Sequence, residues 1–138
     1  MTEAGVRALA LVGLADRAVE MASALAYGHR RMLEIARAIV ARPRLLLLDE
    51  PAAGLNATES AAFVELVRRI ADTGVAIILV EHHMDVVMKA CARITVLNYG
   101  RLLAEGSPTE IRNNADVLEA YLGFGDHEYE LGEGVATQ

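Results

Sequence analysis

The chain has 138 residues, of which 54% are hydrophobic and 23% charged, and these shares are ordinary for one globular domain. Its net charge of −6 argues against nucleic-acid binding, because nucleic-acid binders usually present a basic surface. Its single cysteine, Cys91, excludes an internal disulfide framework, and no apolar run reaches the roughly 20 residues that span a bilayer.

The first third of the chain is helical in pattern. Residues 3–13 are rich in Ala, Leu and Val and predict a helix, and residues 14–24 predict a second short helix or a loop. A longer helix is predicted from Gly28 to about Arg42. It must stop there because Pro43 pushes the preceding residue out of the helical region.

The middle of the chain alternates between strand and helix. The continuous apolar runs at residues 45–48 and 75–80 are typical of strands buried on both faces of a parallel sheet. Between them, Asn56 and Glu59 have the spacing of a capping box, and Gly74 ends the helix that they open. We therefore predict an α/β fold in which a parallel sheet is flanked by helices.

The last elements are shorter. A helix at residues 84–91 leads to a third strand that we expect to join the parallel sheet, and a turn at Tyr99 and Gly100 then leads to a short fourth strand. Ser107 and Glu110 predict the start of another helix. The tail contains four Gly and four acidic residues and is expected to be mobile. The third strand, the fourth strand, the final helix and the tail are predicted at residues 94–97, 101–104, 115–122 and 123–138.

Asp49, Glu50 and Pro51 follow directly after the apolar run at residues 45–48. Carboxylates at the carboxyl end of a buried strand can bind Mg²⁺, and a neighbouring carboxylate can orient or deprotonate a water. An Asp-Glu pair alone would indicate no more than a polar turn. The preceding aliphatic run and the Gly-Leu-Asn that follows make the functional interpretation the stronger one.

Two further segments have the chemistry of a phosphate site. Gly28 stands at the start of a long helix, where backbone N–H groups and the helix dipole favour an anion, although an ordinary turn is the alternative. His82 follows the strand at residues 75–80 through Glu81 and can donate a hydrogen bond to a terminal phosphate. His83 competes for that role, but we interpret it as a surface residue.

These segments, in this order and spacing, resemble the nucleotide-binding domain of the ATP-binding-cassette family over roughly residues 1–122. The resemblance implies part of a P-loop NTPase fold that uses ATP and Mg²⁺. It implies that Asp49 lies on the magnesium side of the Walker B motif, that Glu50 is the catalytic glutamate and that His82 is the switch histidine. It also implies nucleotide contacts in the signature motif and the D-loop, formed by Leu25, Ala26, Tyr27, Gly28, His29 and Asn56.

Within the family, the chain is most similar to ATP-binding subunits of importers for branched-chain amino acids, on residues 25–28, 33–37, 81–82, 111–114 and 120–123. This similarity implies a second ATPase subunit in a head-to-tail dimer, transmembrane permease subunits as partners, and a cytoplasmic location on the inner face of the cell membrane. No nucleic-acid partner is expected.

The chain departs from the general family pattern in four residues. Ala26 replaces a serine that often contacts the γ-phosphate, Tyr27 replaces a glycine, His29 replaces a glutamine, and Asn56 replaces the common aspartate of the D-loop. The loss of the serine hydroxyl implies that phosphate contact depends more on backbone N–H groups.

The sequence contains no Gly-x-x-x-x-Gly-Lys-Ser/Thr, since its single lysine, Lys89, is followed by Ala90. The resemblance places the P-loop strand inside the sheet, so the sheet of this chain would lack an interior strand. We therefore expect that the chain does not fold stably by itself and does not hydrolyse ATP alone. The alternatives are a truncated or degenerate non-enzymatic partner of an intact ATPase and a DNA-repair type of ATPase, which the acidic balance disfavours.

Overall fold

The computed structural model describes residues 2–122, with side chains through residue 120. The tail predicted at residues 123–138 lies outside the described residues. The chain divides into two compact units, the first ending at Cys91 and the second beginning at Ala92. Within the described range, no helix combines the length and the apolar character needed to cross a membrane.

The described part of the first unit begins with two helices and then alternates strands and helices. Two single turns of 3-10 helix, at Ala15–Arg17 and Ala22–Ala24, connect the first two helices. The predicted second short helix at residues 14–24 is therefore two turns joined by loop. In chain order the elements are α1 (Glu3–Leu11), α2 (Tyr27–Val40), β1 (Leu45–Asp49), α3 (Ala57–Asp72), β2 (Ala76–Val80) and α4 (Met84–Ala90).

Local sequence signals explain where these helices begin and end. Asn56 Oδ1 accepts a hydrogen bond from Glu59 N at 2.9 Å, and Glu59 Oε2 accepts one from Asn56 N at 3.0 Å. This is the predicted capping box of α3, and it satisfies two of the backbone donors at the helix start. Helix α2 begins at Tyr27, one residue before the predicted Gly28, and ends at Val40, ahead of Pro43.

The strands β1 and β2 pair in parallel, as predicted, with Leu46 opposite Ile77 and Asp49 opposite Val80. The prediction that both faces of these strands are buried is wrong for the described residues. Leu46 is 5% exposed, whereas Leu47 is 67% exposed and Ile78 is 54% exposed. Side chains alternate between the two faces of a strand, and the described helices cover one face only.

The core of the first unit lies under the covered face of this sheet. Phe63 on α3 is completely buried, and Leu66 and Ile70 on the same helix are almost completely buried. These residues recur at helical spacing, so a single stripe of α3 faces the core. The other buried members of the cluster are Ala8, Val12, Leu14, Met32, Ile35, Ala36, Leu46, Ala52, Val64, Val67 and Val86.

The described part of the second unit contains β3 (Ile94–Asn98), β4 (Arg101–Gly106), α5 (Pro108–Arg112) and α6 (Ala115–Leu122). The prediction that the third strand joins the parallel sheet is wrong, because β3 pairs antiparallel with β4 in a separate two-stranded sheet. The turn at Tyr99 and Gly100 has φ values of 47° and 75°, which suit a two-residue hairpin and favour local pairing.

The start of α5 was also predicted from the sequence. Ser107 and Glu110 form its capping box, with Pro108 in the first turn. Among the described residues of this unit, the buried apolar side chains are those of Ile94, Val96, Ile111 and Val117.

Replacing Phe63 with Ala is expected to lower the free energy of unfolding by about 3–5 kcal/mol, because a fully buried aromatic ring is lost and a cavity remains. Urea unfolding of the chain at low protein concentration measures the change, in buffer with a stabilising osmolyte because little stability is expected for the chain alone. The control is Leu47→Ala in β1, which changes an exposed side chain and should cost less than about 1 kcal/mol. Equal losses in the two variants would contradict the assignment of the core.

Candidate functional site

The carboxyl ends of β1 and β2 meet at one edge of the sheet, which we call the rim. Glu50 follows β1, and Glu81 and His82 follow β2. The backbone N–H of Glu50 donates to Val80 O at 2.8 Å, so the pairing of the two strands continues into the rim. Glu50 has a φ of 43°, and such left-handed conformations at residues other than glycine cost free energy and are often found at functional sites.

The rim brings together the two side chains that were predicted to be catalytic. His82 Nδ1 lies 3.5 Å from Glu50 Oε1. The side chain of His82 is 60% exposed and that of Glu50 is 56% exposed. A ligand could therefore reach a carboxylate and an imidazole at one open position.

Asp49, the predicted magnesium ligand, is the last residue of β1 and is exposed. Its carboxylate forms no ion pair with another residue in the described part of the chain. Asp49 and Glu50 together present two exposed carboxylates at the rim. Mg²⁺ commonly binds to one or two carboxylates and to phosphate oxygens, so these residues fit that ion.

Glu81 also lies at the rim, and no role was predicted for it from the sequence. Its side chain is fully excluded from solvent. The carboxylate accepts hydrogen bonds from Ala52 N at 2.8 Å, from His82 N at 3.1 Å and from His83 N at 3.3 Å. Its position directly after an apolar strand was the one available signal in the sequence.

The pKa of Glu81 lies below its ordinary value. Burial by itself raises this pKa, but the hydrogen bonds from the His83 ring and from the backbone of Ala52, His83 and His82 outweigh burial. Glu81 is therefore a buried carboxylate that its donors stabilise in the ionised form.

His83, which was interpreted as a surface residue, is 44% exposed but has a specific contact. Its Nδ1 lies 2.8 Å from Glu81 Oε2, and an ionised carboxylate can only accept, so the Nδ1 hydrogen donates. The rings of His82 and His83 lie 4.3 Å apart between centroids. Glu81, His82 and His83 also form a group of donors close enough to surround a metal ion.

The predicted signature residues lie at the start of α2. Leu25 is buried, and Ala26 occupies the N-cap position without a side-chain hydrogen bond. The first N–H groups of a helix have no partner within the helix, and Ala supplies no oxygen to satisfy them. The start of α2 therefore offers backbone donors and the positive end of a helix dipole, which suit an anion.

Tyr27 connects the signature segment to the turn that follows β1. Its hydroxyl donates to Ala53 O at 3.1 Å and accepts from Arg31 Nη2 at 3.0 Å. A side chain at Gly54, where φ is 77°, would approach the Tyr27 ring at 3.1 Å. Hydrogen bonds to Glu34 and to Tyr27 raise the pKa of Arg31 above its ordinary value.

The remaining predicted residues differ in their surroundings. A Cβ added to the buried Gly28 would lie 2.8 Å from Cδ of Glu59, the residue that completes the α3 capping box. His29 Nδ1 is buried without a hydrogen-bond partner among the described atoms, and Asn56 Oδ1 is used as a helix cap. No described hydrogen bond or ion pair links residues 25–29 to the side chains of Glu50 or His82.

Two family models match the chain. Residues 2–53 match the model described as ABC transporter. Residues 101–123 match the model described as branched-chain amino acid ATP-binding cassette transporter.

Curated relatives agree with these models. The chain is 50% identical over 113 residues to the high-affinity branched-chain amino acid transport ATP-binding protein LivG of Escherichia coli K12, covering 81% of this chain and 44% of LivG. It is 47% identical over 113 residues to BraF of Pseudomonas aeruginosa, with the same coverage. The chain thus spans less than half the length of the curated relatives it matches.

Solved structures share the fold. The ADP conformation of MJ1267, an ATP-binding cassette of an ABC transporter, superposes with a TM-score of 0.81 at 25% identity over 88% of this chain and 49% of MJ1267. The cbiO1 protein of Clostridium perfringens gives a TM-score of 0.76 at 26% identity over 88% of this chain and 50% of cbiO1.

Gly54→Ala tests the contact between Tyr27 and the turn after β1. Gly74→Ala is the matched control, because Gly74 also has a positive φ but has nothing within 4 Å of the added Cβ. The control should cost about 1–2 kcal/mol of unfolding free energy through strain alone, and Gly54→Ala should cost more. Thermal and urea unfolding measure both changes. Equal losses would mean that the Tyr27 ring does not restrict residue 54.

The lowered pKa of Glu81 predicts a specific dependence of stability on pH. Because the pKa is lower in the folded state, the stabilisation is complete well above the ordinary value of 4.5 and is lost as pH falls through the lowered pKa. Between about pH 6 and pH 3, the unfolding free energy measured with urea should therefore fall less steeply with decreasing pH in Glu81→Gln than in the chain without the substitution. Glu105→Gln is the control. A hydrogen bond from Arg93 lowers the pKa of Glu105, but both side chains are in contact with solvent, which screens the interaction. Glu105→Gln should therefore change the pH dependence of stability less than Glu81→Gln does.

Proposed function

We propose, from the premise that this chain belongs to the ATP-binding-cassette transporter family, that residues 1–122 form the C-terminal part of the ATP-hydrolysing subunit of an importer. The observation that carries the proposal is the rim, where a histidine at the end of one parallel strand lies 3.5 Å from a carboxylate at the end of its neighbour. Such an edge is where α/β sheets bind their ligands.

The residues of the rim divide the chemistry among themselves. Glu50 orients the attacking water, and His82 donates a hydrogen bond to the γ-phosphate of ATP. Asp49 would hold Mg²⁺, and the bound ion would neutralise charge on the phosphate oxygens. The exposure of the Glu50 and His82 side chains supports these roles, because both groups can reach a ligand that enters from solvent.

The signature segment, defined as residues 25–29, acts on a different nucleotide. Two ATPase domains pair head to tail, and the start of α2 contacts the ATP that the partner domain holds. The uncapped first turn of α2 supports this role, because its backbone N–H groups can donate to phosphate. Among the described contacts, no hydrogen bond joins residues 25–29 to the side chains of Glu50 or His82. This is consistent with the two groups of residues contacting different nucleotides.

Branched-chain amino acids are the proposed transported substrates. The support is the 50% identity to LivG and the match of residues 101–123 to the branched-chain model. Transmembrane permease subunits are the proposed partners, and closure and reopening of the ATPase pair drives them between two states. The proposed location is the cytoplasmic face of the membrane.

The rest of the nucleotide site is proposed to come from a segment with a P-loop, which the printed sequence does not contain. The exposed apolar side chains of the β1–β2 sheet, at Leu45, Leu47, Ile78 and Val80, support such a complement. Apolar patches of this kind commonly mark surfaces that another segment or chain covers.

A non-enzymatic partner of an intact ATPase is the second candidate. It is the role that the chain could perform without a P-loop, the loop that holds the phosphates of ATP. Such a partner would bind an intact domain through residues 25–29 and 53–56. Two results together would favour this second candidate. The chain would co-purify with a full-length relative unless Gly28 is replaced with Asp, and the LivG chimera of the next paragraph would be inactive.

The 138-residue chain alone is expected to show no ATP hydrolysis. A chimera in which this chain replaces the matching part of Escherichia coli LivG should hydrolyse ATP at a rate comparable to LivG, because the rest of that ATP-binding protein supplies the segment that this chain is proposed to need. In the chimera, Glu50→Gln should lower kcat by about 10²- to 10⁴-fold and leave ATP binding intact. Phosphate release and binding of a fluorescent ATP analogue measure the two quantities.

Glu65→Gln is the matched control, because Glu65 is an exposed carboxylate on α3 whose nearest ion-pair partner is Arg68 at 3.9 Å. It should leave kcat unchanged. An active 138-residue chain would overturn the proposal that another segment completes the nucleotide site. A Glu50→Gln chimera that keeps its full rate would overturn the proposed role of Glu50.

A further inference from the structure

The carboxylate of Glu81 lies between the two segments that carry the proposed catalytic side chains. Glu81 Oε1 accepts from Ala52 N, which belongs to the turn after β1. Glu81 Oε2 accepts from the backbone N–H groups of His82 and His83 and from the His83 ring. One side chain therefore bridges the segment of Glu50 and the segment of His82.

The bridge acts close to Glu50. The turn after β1 is closed by a hydrogen bond from Ala53 N to Glu50 O at 3.2 Å, and Ala52 lies inside it. Glu50 itself is held in the left-handed region at a φ of 43°. Such a conformation persists where surrounding contacts determine it, and the bond from Ala52 N to Glu81 is one of those contacts.

The surroundings of Glu81 make its bonds strong. The side chain has no solvent exposure, and Ala52 is 2% exposed. Hydrogen bonds to an ionised group are stronger than bonds between neutral groups, and an unsatisfied buried donor is costly. Loss of the carboxylate would leave the Ala52 N–H without its acceptor.

We propose that Glu81 is a positioning residue, whose buried carboxylate fixes His82 relative to Glu50 by tying the residues after β2 to the turn after β1. This inference rests on the proposed function of Glu50 and His82. It names Glu81 as the residue that sets the distance between them. Small errors in the placement of reacting groups are costly, because a shift of about 1 Å can lower the rate by about 10²-fold.

A metal ion held by Glu81, His82 and His83 is the competing interpretation, since their donor atoms are close together. The observed hydrogen bonds favour positioning. Both oxygens of Glu81 already accept bonds from N–H donors, and His83 Nδ1 uses its hydrogen for one of them. A metal would have to displace these donors.

The functional test uses the LivG chimera. Glu81→Gln should lower kcat by about 10- to 100-fold and change the KM for ATP by less than about twofold, because Glu81 is proposed to place His82 and not to bind the nucleotide. Glu81→Asp, which keeps the charge but shortens the side chain, should recover part of the rate. Glu65→Gln should change neither quantity.

A double-mutant cycle separates positioning from a general structural role. If Glu81 acts through His82, Glu81→Gln should have little further effect on kcat in a His82→Ala background. Equal fold-losses in the two backgrounds would overturn the proposal. A rise in KM at unchanged kcat would also overturn it. So would metal binding, seen as a shift of the His82 and His83 ring resonances by micromolar Zn²⁺ that Glu81→Gln abolishes.

A second measurement does not depend on ATP hydrolysis. Amide hydrogen exchange at Ala52 in the chimera should accelerate by at least about tenfold in Glu81→Ala, because no side-chain oxygen is left at residue 81 to accept from Ala52 N. Unchanged exchange at Ala52 would refute the bridge even if the chimera is active. An inactive chimera with accelerated exchange would instead refute the proposed function and leave the bridge in place.

Discussion

The parallel pairing of β1 and β2 is the constraint on which the rim depends. Because the two strands run in the same direction and in the register that sets Asp49 opposite Val80, the residues that follow them emerge at the same edge. A shift of register by one residue would turn every side chain of a strand to the other face. The burial of Leu46 on the core side fixes that register, so apolar packing determines where the polar rim residues lie.

The turn after β1 is where the rim meets the signature segment. In this turn, Ala52 N donates a hydrogen bond to the Glu81 carboxylate, and Ala53 O accepts one from the Tyr27 hydroxyl. These are neighbouring residues of a single turn. In the proposed head-to-tail pair of ATPase domains, a change at the signature segment would reach the turn that contains Glu50 through these two hydrogen bonds.

The sequence predicted the features that depend on local chemistry. The capping boxes at Asn56 and Ser107 follow from side chains three residues apart, and both are present in the structure. The sequence did not predict the role of Glu81, because its partner Ala52 lies 29 residues earlier in the chain and donates through the backbone, which any residue type supplies. The predicted position of β3 was wrong because alternation of strands and helices does not determine which strands pair, and a two-residue turn favoured the hairpin with β4.

The open face of the β1–β2 sheet connects folding to the proposed nucleotide binding. Two strands alone are at best marginally stable in water, and here the described helices cover one face while Leu47 and Ile78 stay exposed on the strands. A segment that covers those side chains would bury apolar surface and stabilise the strands whose ends form the rim. If that segment also carries the P-loop, nucleotide affinity and the order of Glu50 and His82 are thermodynamically linked, since a ligand that binds the completed fold stabilises it. The same physical contact then completes the sheet and completes the site.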